Sequence, residues 1–302
     1  MVHYTYNEVL SASVEYFNGD EFAAKVFVDK YALQDKEGNY LELTPRDMHR
    51  RLAKEFARIE SKYSNPLKEE VLFSLMDNFK YIVPQGSPMS AIGNNYHVQS
   101  ISNCFVIEGV ENEKLDSYGG IMLADQELAQ IMKRRGGVGL DISGIRPKGM
   151  HTNNAAKTTD GIGVFMERFS NTCREVAQNG RRGAEMQTLS VNHPEIETFI
   201  DIKKDKTKVT GANISIRLND EFMQAVKDNA EYTLRYPVTA KIENAKFTKV
   251  VKAKEIWDKI IDAAWSSAEP GLLFWDNVLK NTPSDIYSDE GYNSISTNPC
   301  FS

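Results

Sequence analysis

The feature that most constrains this chain is a change of texture near residue 83. Beyond it, short apolar runs of strand length alternate with amphipathic stretches of helical length. The runs are "SNCFVIEGV" (102–110), "GGVGLDIS" (136–143), the end of "NGRRGAEMQTLSV" (179–191) and "GANISIRLND" (211–220). Between and after them, residues 118–135, 164–178, 193–206, 220–229 and 253–270 carry helical spacing. Parallel neighbours need a crossover long enough to hold a helix, so this alternation specifies an α/β architecture with parallel strands, as a barrel or an open sheet. Residues 230–255 break the pattern and read as a β-hairpin.

The first 82 residues read differently. Segments 5–17, 20–32, 43–63 and 68–82 have helical periodicity, and "LTPRDMHRR" opens with Thr44 as cap and Pro45 at the first helical position. Residues 83–95, "VPQGSPMSAIGNN", are rich in Gly, Pro, Ser and Asn and read as a loop of tight turns. This divides the chain into a helical region, 1–82, and an α/β region, 83–302.

Charge and composition exclude several functions. With 36 Lys and Arg against 42 Asp and Glu, the formal charge is −6, so no broad basic face for nucleic acid is expected. No apolar run reaches 18 residues, and the first 17 have neither the basic start nor the apolar stretch of a signal peptide. The chain therefore reads as cytoplasmic. The cysteines, Cys104, Cys173 and Cys300, are too few and scattered for a disulfide framework, and each is a buried hydrophobe or a reactive thiol. The five histidines lack metal-ligand spacing, and neither a dinucleotide fingerprint nor a P-loop is present.

What remains is loops at strand ends. Gly-rich turns and helix N-termini hold anions because their amides are unpaired. "QGSPMS" (85–90) and "GRRGAEMQ" (180–187) are candidates, the second through Arg181 and Arg182, and both are equally compatible with plain turns. Cys104 opens an apolar strand, where packing is the usual role, whereas Cys300 in "TNPC" follows a turn-like Asn-Pro that favours exposure and reactivity.

Seven pieces in order, "PQGSPMS", "SNCFVI", "RRGGVGLDISGIRPKG", "NGRRGAEM", "NISIRLNDEFM", "EPGLLFWDN" and "TNPC", resemble the catalytic α chain of ribonucleotide reductase. The resemblance implies the first half of a ten-stranded α/β barrel, entered by a finger loop, and reduction of ribonucleotides to 2′-deoxyribonucleotides by thiyl-radical chemistry. It implies that Cys104 is the redox thiol of the first strand, Cys300 the radical cysteine, and Asn298 the amide that binds the ribose hydroxyls. Ser87, Asn103, Gly136 and Gly137 are the implied substrate contacts. It also implies an effector site for dNTP or ATP. There, residues 145–160 and 179–187 form two specificity loops, with Glu113, Arg146, Lys148, Arg181 and Arg182 as binding candidates. Helices 118–135 and 164–178 would form an α homodimer. Implied partners are the ribonucleotide, the effector and a thioredoxin- or glutaredoxin-like reductant. "N-P-C" rather than "N-L-C" points to adenosylcobalamin as radical source, the alternative being a metal-containing small subunit.

The family motif continues "N-P-C-G-E", whereas Phe301 and Ser302 follow Cys300 here. The sequence reading therefore expects a split or interrupted α chain, by an intein, a gene split, a frame break or a truncation, completed by a complementary C-terminal half. The alternative is a non-catalytic, dNTP-binding and dimerising remnant.

Overall fold

The computed structural model describes residues 2–107, 114–176 and 183–299. They fall into two compact units, one built from residues 2–103 with 134–136, the other from the rest.

The first unit is helical: α1 (Tyr6–Tyr16), α2 (Glu21–Lys30), α3 (Pro45–Glu60), α4 (Glu69–Met76) and α5 (Gly86–Ala91). Val9, Phe27, Val28, Met48, Leu52 and Met76 meet in its core. The entry to α3 is as the sequence foretells. Pro45 sits at the first helical position, and Asp47 accepts hydrogen bonds from the amides of Leu43 and Thr44, both at 2.9 Å. Two expectations are corrected. The helix expected over 68–82 ends at Met76, because Asn78 and Phe79 take left-handed φ values of 60° and 54°. That turn sets Phe79 edge-on to His49, with centroids 4.5 Å apart, and against Phe17, so tertiary packing overrides local periodicity. The loop expected over 83–95 contains α5. Pro88 falls in its first turn, where a missing N–H breaks no helical bond.

The second unit holds a five-stranded sheet, β1 (Cys104–Ile107), β2 (Gly137–Asp141), β3 (Glu185–Ser190), β4 (Ala212–Leu218) and, after a hairpin of β5 (Glu231–Tyr236) and β6 (Phe247–Lys252), β7 (Gly271–Phe274). The sheet order is β1-β2-β3-β4-β7 with every pair parallel, while β5 and β6 pair antiparallel. Crossovers are made through α6 (Tyr118–Met132), α7 (Ile162–Glu175), α8 (Ile196–Asp201), α9 (Asp220–Lys227) and α10 (Ala253–Ser267), and α11 (Trp275–Asn281) follows β7.

Successive strand side chains point to opposite faces. On one face Val138, Leu140, Leu189, Ile214, Ile216 and Leu218 pack with Leu128, Phe169 and Phe199 of the helices into a single core. Burying each such side chain contributes about 1.5–3 kcal/mol, which makes this layer the main support of the unit. The alternate positions are mostly small or polar, Gly137, Gly139 and Asp141 on β2, Thr188 and Ser190 on β3, Ser215 and Arg217 on β4, with Met186 of β3 and Leu273 of β7 as the apolar exceptions. Asp141 and Thr188 are nonetheless fully buried. The opposite face of the sheet is therefore covered too, and the residues that cover it define the site.

Candidate active site on the polar face of the sheet

The polar face carries the chain's own segment 295–299. Cys104 pairs in register with Gly137. A Cβ at Gly137 would lie 3.0 Å from Pro299 Cγ and 3.4 Å from Cys104 Sγ. A Cβ at Gly139 would lie 1.8 Å from the Thr297 carbonyl oxygen and 2.8 Å from Asn298 Cα. Real Cβ atoms do not approach so closely, so glycine at 139 is what allows the two backbones to cross in contact. Gly136 and Gly137 are two of the implied substrate contacts, and the structure places Gly137 in a strand rather than a loop. Gly137 opens β2, with Pro299 above it, while Gly136 lies just before the strand in the first unit.

The next residues of the segment are held by side chains. Arg217 Nη1 donates to the Ile295 carbonyl at 3.1 Å, and the hydroxyls of Thr188 and Ser296 are 2.9 Å apart. Arg217 also pairs with buried Asp141 at 2.7 Å. Burial pushes the Asp141 carboxyl up, opposed by the Arg217 charge and the Ser143 hydroxyl.

Cys104 is disulfide-bonded, and Cys173 is the free thiol among the described residues. Cys173 is buried behind the sheet, and burial, with Glu185 adding, pushes its thiol up to about 12. Such a thiol is inert at neutral pH, as a packing residue should be.

Ser87 and Asn103 meet within the first unit. The Ser87 amide donates to Asn103 Oδ1 at 2.8 Å, and Asn103 Nδ2 donates to Gln85. Ser87 Oγ is buried with no hydrogen-bond partner among the described residues, a polar atom left for a ligand or water.

A second site is a cleft of about 450 Å³ in the second unit, lined among others by Asp116, Ser117, Tyr118, Arg146, Asn154 and Phe165. Arg146 Nε donates to Asp116 Oδ1 at 2.7 Å and Nη1 to the His151 carbonyl at 2.6 Å. The base of the 145–161 loop is fixed by Glu195, which accepts from the amides of Lys148 at 3.1 Å and Ile162 at 2.9 Å. A Cβ at Gly161, whose φ is +80°, would strike that carboxylate at 2.3 Å. His193 completes the anchor. Its Nδ1 accepts from the Glu195 amide at 3.1 Å, so Nε2 carries the proton and donates to the Ile145 carbonyl at 2.8 Å. Burial pulls the His193 pKa down to about 4.

Arg146, one of the effector-binding candidates, lines the cleft. Lys148 does not line the cleft; its side chain is exposed and its amide is spent on Glu195. Glu113, Arg181, Arg182 and Cys300 lie outside the described residues. Of the second specificity segment, residues 185–187 belong to β3. Sequence reasoning missed Asp116, which sits just before Ser117, the N-cap whose hydroxyl accepts from the Gly120 amide at 3.1 Å. An Asp-Ser pair opening a helical run was the available signal. It also missed Asp141 and Arg217, whose signal was one charge in each of two apolar strands. Among the described residues there is no metal-binding cluster and no helix long and apolar enough to cross a membrane.

A sequence profile of the ribonucleotide reductase barrel domain matches residues 102–301, and one of the ribonucleotide reductase all-alpha domain matches residues 17–94. The chain belongs to the ribonucleotide reductase large-subunit family. The sheet is accordingly part of a ribonucleotide reductase barrel, and the helical unit holds the family's all-alpha domain. Similar relatives include a vitamin B12-dependent ribonucleoside-diphosphate reductase of Thermoplasma acidophilum, 31% identical over 92% of this chain and 42% of its own length. One of the same name from Mycobacterium tuberculosis is 29% identical over 92% of this chain and 38% of its own. The ribonucleoside-diphosphate reductase large subunit of variola virus is 26% identical over 60% of this chain and 26% of its own. The chain thus spans about two fifths of the length of the B12-dependent reductases.

Proposed function

We propose that this chain supplies the substrate thiol strand and the effector cleft of a cytoplasmic, adenosylcobalamin-dependent ribonucleotide reductase. The observation that carries the reading is the crossing of Thr297–Pro299 over Gly139 and Gly137, beside Cys104. It brings Asn298 beside the Cys104 sulfur, whose disulfide must be reduced before it can act as a thiol, and these are two of the groups the sequence motifs single out for the chemistry.

In this reading Cys300 takes the 3′ hydrogen of the ribose and returns it once the 2′ carbon has been reduced, and Asn298 orients the ribose hydroxyls. Cys104 and a second thiol then give two electrons and two protons: the 2′ C–O bond breaks, a C–H bond forms, water leaves and a disulfide remains. A thioredoxin- or glutaredoxin-like dithiol returns the thiols by exchange. Ser87 and Asn103 receive the phosphate and sugar. On the described polar face Pro299 and Thr297 fill the space at Gly137 and Gly139 and the Cys104 sulfur is disulfide-bonded, so these residues do not fit the cofactor, which would be held outside them. When bound, adenosylcobalamin supplies a carbon radical able to take hydrogen from a thiol. The relatives' names support this source over a metal-containing small subunit. The remainder of the barrel would come from a complementary C-terminal part.

The cleft is read as the effector site for a dNTP or ATP, with Arg146 toward the phosphates and Asp116 replacing Glu113 as the acid for the sugar hydroxyls. The exposed apolar residues Leu123 on α6 and Val164 on α7 would meet a second copy of the chain. A second reading, a dNTP-binding and dimerising protein without catalysis, is favoured by that cleft alone, since described residues of one unit complete it. Equilibrium binding of dNTPs combined with a reductase assay separates the two. Binding with adenosylcobalamin-dependent deoxynucleotide formation supports the first; binding without turnover supports the second.

A further inference from the structure

We propose that the buried Asp141–Arg217 pair is a positioning device that sets the register of segment 295–299 on the polar face. The contacts converge on one carboxylate. Asp141 Oδ2 pairs with Arg217 Nη2 at 2.7 Å, and Asp141 Oδ1 accepts from the Ser143 hydroxyl at 2.6 Å and the Thr188 hydroxyl at 3.4 Å. Arg217 Nη2 is also 3.4 Å from Ser143 Oγ, and its guanidinium lies 4.8 Å above the Trp275 ring. From this cluster two contacts reach consecutive residues of the segment: Arg217 Nη1 to the Ile295 carbonyl at 3.1 Å, and Thr188 to Ser296 at 2.9 Å.

The spacing explains why a charge pair sits there. Residues 137, 139 and 141 of β2 face the same side. Pro299 lies over Gly137, Thr297 over Gly139, and Ile295 is held by the partner of Asp141. The segment therefore descends β2 in steps of two. Fixing Ile295 and Ser296 determines which residue meets the gap at Gly139. A slip of one residue would bring a side chain into a gap that admits backbone only. Apolar contacts alone would tolerate slippage, whereas a buried ion pair is poor as a source of stability and good as a specifier of one arrangement. On the reductase reading, this register is what sets Asn298 relative to Cys104. The pair would then act through the segment, without touching substrate.

The test is hydrogen–deuterium exchange on the full chain, which needs no turnover. In the double variant Asp141→Asn/Arg217→Met, which leaves no unpaired buried charge, amides of 295–298 should exchange at least tenfold faster. Those of β2, β3 and β4 should stay within about twofold of the parent. Arg217→Lys, keeping the ion pair but losing the carbonyl contact, should restore thermal stability and not segment protection. Unchanged protection of 295–298 in the double variant overturns the proposal. So does a uniform rise across the sheet, which would mark the pair as merely structural. If the double variant does not fold, Thr188→Val gives the same reading: at least threefold faster exchange confined to 295–298 supports register control, and no change overturns it. Absence of reductase activity in the parent protein, with these exchange results intact, would count against the reductase reading alone.

Discussion

Gly139 and Gly271 both leave too little room for a Cβ, yet the consequences differ. A methyl at 271 would meet the Ser215 hydroxyl oxygen at 2.6 Å, and that side chain can rotate. A methyl at 139 meets the Thr297 backbone at 1.8 Å, which cannot. Gly139→Ala should therefore release the 295–299 segment, at about 1–3 kcal/mol of overpacking, while Gly271→Ala is milder. Urea unfolding with deuterium uptake on 295–298 checks both. Titrating residues give a second test. Glu185 is buried on β3, and burial raises its pKa to about 8. The folded state holds that proton more tightly than the unfolded chain, so its contribution is complete below the unfolded carboxylate range and lost as pH rises through 8. His193 acts oppositely: its pKa of about 4 gives stability that is complete above 6.5 and lost as pH falls toward 4. Between pH 6.5 and 8 Glu185 stands without that offset. Glu185→Gln should remove about 2 kcal/mol of the stability decline across that window, measured as the difference between variant and parent in urea unfolding.

At the scale of elements, the loop over 145–161 matters most. Its two ends are tied to Glu195, and Arg146 near its start holds Asp116 and the His151 carbonyl, so a ligand entering the cleft meets a framed loop. Arg146→Ala should weaken dNTP binding at least tenfold, and Asp116→Ala should weaken a deoxynucleoside triphosphate and a simple triphosphate unequally; isothermal titration with each checks this. Unchanged binding in both variants would remove the effector reading. The strands and long helices were legible because period-two and helical spacing report burial directly. The short α5 was not, since "GSPMSA" carries turn residues and its helix depends on a first turn that tolerates Pro88. Nor was the end of α4, which depends on where the Phe79 ring packs. Asp116 was missed because whether an acid lines the cleft is a tertiary fact that no local pattern reports; Glu113 lies outside the described residues.

For the whole molecule, the sequence motifs identified the ribonucleotide reductase family, and the two profile matches show it independently. The parallel order β1-β2-β3-β4-β7 was legible as an architecture of alternating strands and helices. The descent of 295–299 along β2 was not, because no local pattern links residues more than 150 positions apart; two glycines at alternate positions of a strand were the trace it left. Catalysis by this arrangement requires that the strand thiol and the tail act together. The direct measurement is deoxyribonucleotide formation by the protein that carries these residues, purified as its cell makes it. The assay holds ribonucleoside diphosphate or triphosphate, a dithiol reductant and adenosylcobalamin, with Cys104→Ser as the comparison. The account predicts turnover that depends on adenosylcobalamin and that Cys104→Ser abolishes. Dithiol-coupled turnover retained by Cys104→Ser, or no turnover by a protein that binds dNTPs normally, would contradict it.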